Sequence, residues 1–114
     1  MPLIYKICPD ALWREAEVAG RFSGAPIDLA DGYIHFSTGS QLRETAAKHF
    51  AGQHGLLLIA VDDAGLGPAL RYEPSRGGAL FPHLYAALDP RAVRWVQALP
   101  SDADGLPMIP EDIA

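Results

Sequence analysis

A chain of 114 residues, 49% hydrophobic and 20% charged, has the size of one compact domain spanning 1–114 and too much apolar content to remain disordered. Nine Lys and Arg against fourteen Asp and Glu leave a formal net charge of −5, which excludes a broad basic surface for a nucleic-acid backbone. No apolar run reaches the ~20 residues of a membrane helix, and the single cysteine, Cys8, cannot form an internal disulfide.

A reducing compartment is therefore expected. The N-terminal stretch through Ile7 lacks the basic region, long apolar segment and small-residue cleavage site of a signal peptide, so the cytoplasm is the expected location. Ten prolines and eleven glycines predict short elements joined by many turns.

In chain order, residues 3–8 alternate strand formers with Lys6 and carry apolar residues on both faces, which predicts a central strand ended at Pro9. Asp10 offers an N-cap, Leu12, Trp13, Ala16 and Ala19 recur at helical spacing, and Gly20 suits a C-cap, so 10–19 is expected to be helical. From Arg21 to Gly32 no period is sustained, and a loop is expected, with Asp28 and Asp31 as turn formers. Tyr33-Ile34-His35-Phe36-Ser37 reads as a second strand.

Thr38-Gly39-Ser40-Gln41 has the form of a capping box, and Leu42, Ala46, His49 and Phe50 fall on one helical stripe closed by Gly52. The unbroken apolar run Leu56–Val61 predicts a buried strand, followed by a turn to Pro68 and an alternating strand over 69–73. The Pro-interrupted Phe81-Pro82-His83-Leu84-Tyr85 suits an edge strand or an ordered loop. A last strand is expected over 92–99, and the tail from Pro100 shows no period. The whole predicts an α+β domain with two early helices and a mostly antiparallel sheet.

Candidate site residues come from the period of two. It places Tyr33, His35 and Ser37 on one face of the second strand, Arg71 and Glu73 on one face of the fourth, and Phe81, His83 and Tyr85 in a third row. One reading of such rows is a solvated sheet face, with His35 and His83 satisfied locally and Arg71 and Glu73 an exposed pair. The other is a half-buried cleft, which the mixture of His, Ser, Tyr and Phe suits better than it suits open solvent. Ser37 leads into Thr38, where free backbone N–H groups at a helix start favour an anion, making this junction a candidate phosphate corner. No metal-ligand spacing stands out.

The segments Ile4-Tyr5-Lys6-Ile7, Trp13, Asp31-Gly32-Tyr33-Ile34-His35-Phe36-Ser37, Gln41, Glu73 and Phe81-Pro82-His83-Leu84-Tyr85, in this order, resemble the bacterial family catalogued as domain of unknown function 952. That family in turn resembles the ADP-ribosyltransferase-like fold of RNA 2′-phosphotransferases, poly(ADP-ribose) polymerases and diphtheria-type toxins. The resemblance implies that His35-Phe36-Ser37 corresponds to the strand His and following Ser or Thr that contact NAD, with His83 or Tyr85 in the second motif position and Glu73 as candidate for the third. Taken with the polar rows and the helix start at Thr38, it gives expected catalytic roles for His35, His83 and Glu73, and expected ligand contacts from Tyr33, Ser37, Thr38, Arg71, Phe81 and Tyr85. The implied function is binding or cleavage of NAD or a related ADP-ribosyl or nucleotide ligand. The alternative is a non-catalytic binding module for a nucleotide or small metabolite on the same fold.

Overall fold

The computed structural model describes residues 2–113. Its elements run β1 (Leu3–Pro9), α1 (Asp10–Ala19), α2 (Pro26–Asp31), β2 (Ile34–His35), β3 (Ser37–Thr38), α3 (Leu42–His49), β4 (Leu56–Asp62), β5 (Leu70–Pro74), β6 (Leu80–Leu84) and β7 (Val93–Leu99). The architecture is α+β with antiparallel pairing in two sheets, ordered β3-β1-β4-β7 and β2-β6-β5.

The apolar run in β4 determines the layering. Leu57, Ile59 and Val61 point to one side, where they join Ile4 and Cys8 of β1, Trp13 and Ala16 of α1, Phe22, and Ile34 and Leu84 of the second sheet. Leu56, Leu58 and Ala60 point to the other, against Tyr5, Ile7, Leu42 and Ala46 of α3, and Ile113. A strand covered on both faces has no polar alternation to show, which is why it reads as a continuous hydrophobic run.

Six expectations are corrected. Asp10 is the first residue of α1, with Pro9 at the cap position and no side-chain cap bond, and α3 ends at His49 with Phe50 rather than Gly52 at its C-cap. The loop over 21–32 contains α2: Pro26 supplies the fixed φ of a first helical position, the Asp28 side chain accepts the Ala25 N–H at 2.7 Å, and Gly32 closes the helix at φ 86° with its N–H on the Asp28 carbonyl. Six residues are too few to establish a helical period.

The strand expected over 33–37 is divided. Ile34 and His35 pair with β6, whereas Ser37 and Thr38 pair with β1 in the other sheet, and Phe36 lies buried between them. At the capping box only one half forms: the Thr38 N–H donates to Gln41 Oε1 at 3.0 Å, while Thr38 Oγ1 turns to Ser40 and α3 begins at Leu42. Finally, β6 is the central strand of its sheet. The Pro82 carbonyl accepts from Phe36 N at 3.0 Å, and the missing N–H falls on that same side, just past the end of two-residue β2, so it costs no ladder bond.

Because Ile59 is fully buried in β4, Ile59→Ala is expected to destabilise the fold by about 3 kcal/mol. Urea unfolding should show a lower midpoint with unchanged slope; a loss below about 1 kcal/mol would contradict this packing.

Candidate functional site

The site begins at a lysine and an aspartate that avoid water. Lys6 shares the β1 face of Ile4 and Cys8 and is 5% exposed, and Asp28 in α2 is 1% exposed. Their ion pair closes at 2.8 Å. Asp28 Oδ1 also accepts from the His35 backbone N–H at 3.1 Å and meets His35 Nδ1 at 2.7 Å, while Oδ2 accepts from Ala25 N. Burial alone would raise this carboxyl, but the hydrogen bond from His35 and the Lys6 charge outweigh it and bring the pKa down to about 2. Close packing here requires Gly24, at φ 123°, where an added Cβ would stand 2.7 Å from Asp28 Cβ.

His35 is held from both ends. Its Nε2 lies 2.9 Å from Asp31 Oδ2, so the ring spans two carboxylates of α2 and pins that helix to β2. Asp28 and Asp31 thus act as anchors rather than the simple turn formers expected from sequence.

Directly across the ladder, His83 pairs in register with His35, Arg71 with His83, and Glu73 with Phe81. Opposed residues share a sheet face, so the rows from three strands form one surface except for Ser37, which pairs with Tyr5 of β1 in the other sheet. Glu73 Oε1 lies 2.8 Å from His83 Nδ1 and accepts from the Tyr85 hydroxyl at 2.7 Å. These bonds, that from Tyr85 foremost, hold the Glu73 carboxyl below its usual range, and the Tyr85 hydroxyl is correspondingly raised by Glu73. Tyr33 stacks on His83 at 4.1 Å between ring centroids and touches His35 and Tyr85, and the Arg71 guanidinium lies 5.3 Å from the centre of the Tyr85 ring.

Where the two sheets meet, β1, β3, α2 and α3 face β2 and β6 across a cleft of about 540 Å³. His35, Ser37, Phe81 and His83 border it, with Lys6, Thr45 and His49. Tyr33, Arg71, Glu73 and Tyr85 stand behind and beside His83 rather than on the cleft wall.

Ser37 is buried and its hydroxyl bonds Thr45 Oγ1 at 2.8 Å. The Thr38 N–H expected to receive an anion is donated to Gln41 instead. Neither Lys6 nor Asp28 stands out in the sequence as a site residue; the signal that could reveal them is a lone lysine within a strand apolar on both faces, which needs a buried partner.

The chain belongs to the family described as protein of unknown function (DUF952), whose model matches residues 7–96. Among solved structures it is similar to the crystal structure of protein CC0527 from Caulobacter crescentus, at 53% identity and TM-score 0.91 over 93% of each chain. The solution NMR structure of CC0527 matches at 53% identity and TM-score 0.85, over 94% of this chain and 92% of that one. No curated protein matches the chain.

Breaking the buried pair leaves an uncompensated charge, so Lys6→Met and Asp28→Asn are each expected to cost about 3 kcal/mol by chemical denaturation. A carboxyl whose folded pKa is depressed contributes stability above its unfolded value near ~3.9 and loses it as pH falls toward the folded value. Stability of the wild type should therefore drop as pH falls from about 4 toward 2, and Asp28→Asn should flatten that part of the profile. An unchanged acid profile in the variant would show that Asp28 does not carry it.

Proposed function

We propose that the chain is an ADP-ribosyltransferase-like protein that binds NAD, or a related ADP-ribosyl or nucleotide ligand, in the cleft where its two sheets meet. The observation that carries this reading is the convergence of two segments distant in sequence: His35 and His83 stand opposite each other in register, and both border the same cleft of about 540 Å³. That volume is within the ~300–1,000 Å³ typical of small-ligand sites. Phe81 offers apolar surface inside the cleft, and Tyr33, Tyr85 and Arg71 form an aromatic and cationic border beside it.

In this reading His83 and Glu73 are the groups closest to any chemistry. His35 contributes its ring face and holds α2, since both ring nitrogens already meet carboxylates. Ser37 shapes the wall, and Thr38 supports it from outside through its bonds to Gln41 and Ser40. Cytoplasmic residence belongs to the proposal and suits a buried cysteine without a disulfide.

Binding without turnover is the second reading. It is favoured by the engagement of His35 and Ser37 with other protein groups.

Titration calorimetry with NAD and ADP-ribose should show binding to the wild type and at least about tenfold weaker binding to His83→Ala, the loss of one charge-assisted or buried hydrogen bond. Absence of heat with both ligands would overturn the proposal. Nicotinamide release on incubation with NAD would mark an enzyme; binding with no release would mark a binding module.

A further inference from the structure

We propose that His83 is the proton acceptor of the cleft, that Glu73 positions it for that role, and that the ligand group seated against it is a neutral hydrogen-bond donor, a hydroxyl or amide, rather than a phosphate. The inference rests on the cleft as the ligand site and is independent of whether that ligand is NAD.

A neutral imidazole carries a proton on one nitrogen and a lone pair on the other. His83 Nδ1 faces Glu73 Oε1 at 2.8 Å, and a carboxylate only accepts, so in the neutral ring the proton resides on Nδ1 and the lone pair on Nε2. The same Glu73 oxygen receives the Tyr85 hydroxyl at 2.7 Å, which fixes the carboxylate and helps keep it ionised. Tyr33 covers one face of the His83 ring, and His35 meets it edge-on with centroids 5.6 Å apart. The ring therefore has little freedom to turn over.

Ring geometry puts Nε2 on the edge away from Glu73. His83 borders the cleft and Glu73 does not, which directs that edge to the open space. Among the described residues, the one sealed side-chain nitrogen or oxygen without a hydrogen-bond partner is Trp13 Nε1. His83 as a whole is buried, 3% exposed, and Nε2 has no described partner and is not among the sealed atoms, so the small part of the ring left open is assigned to the cleft that His83 borders.

The surrounding charges argue for a neutral donor. Glu73 lies behind His83, Lys6 across the cleft is already paired with Asp28, and His35 on the cleft wall has both ring nitrogens on the carboxylates of Asp28 and Asp31, while His49 stands on the α3 side of the cleft. Arg71 is turned to the Tyr85 ring. An anion placed against the Nε2 lone pair would meet like charge, whereas a hydroxyl or amide N–H would complete the chain from Tyr85 and Glu73 through His83 to the ligand.

The test uses the full chain without nucleotide, so its failure is separate from a failure to bind NAD. Long-range proton–nitrogen NMR of the histidine rings in mildly alkaline buffer should show His83 protonated at Nδ1 and unprotonated at Nε2; the opposite tautomer would overturn the proposal. In the same buffer, acylation by diethyl pyrocarbonate, located by mass spectrometry, should modify His83 at least about fivefold faster in the wild type than in Glu73→Gln. Equal rates, or an unmodified His83, would overturn it. Should Glu73→Gln fail to fold, Tyr85→Phe, altered only at an exposed hydroxyl, should slow the reaction in the same direction, and an unchanged rate would count against the role of Glu73. Inorganic phosphate should leave the rate unaltered; protection by phosphate would overturn the assignment to a neutral donor.

Discussion

A buried carboxylate with every acceptor position filled is the constraint on which the other features of the site depend. Asp28 receives Lys6 from the four-stranded sheet, the ring and backbone of His35 from the three-stranded one, and Ala25 at the start of its own helix. An ion so far from water costs several kcal/mol unless its lone pairs are met. Here they are met by groups from three separate elements, so the two sheets and α2 are held in one relative arrangement. Gly24 permits it, because any side chain there would collide with Asp28.

From that arrangement the cleft follows. With α2 fixed at both Asp28 and Asp31, one wall is set, and His35 is brought into register with His83 on the opposite strand. The two histidines then differ in kind. His35 meets a carboxylate at each nitrogen and works as a clamp, whereas the described side-chain bond of His83 is to the one carboxylate of Glu73, and its ring borders the cleft. Similar residues on facing positions of one ladder thus differ through the acids around them.

The long elements were legible in the sequence for simple reasons. The run Leu56–Val61 announces a strand buried on both faces, and the spacing of Trp13 and Ala16 marks the buried side of α1. The three polar rows were also legible, because alternation holds along each strand. What alternation does not reveal is a break: His35 and Ser37 share a face only in an unbroken strand, and the chain passes from one sheet to the other at Phe36. Likewise α2 is too short to show a period, and Lys6 finds its partner 22 residues away, a tertiary fact that no local pattern contains.

Asp28 holds these elements by hydrogen bonds inside the protein, and amide hydrogen exchange reads those bonds one at a time. The backbone N–H groups of Ala25 and His35 both donate to Asp28 and lie outside any long stretch of regular structure. They are expected to exchange nearly as slowly as amides of the β4 core, requiring near-global opening. Exchange at the rate of an exposed loop would contradict it.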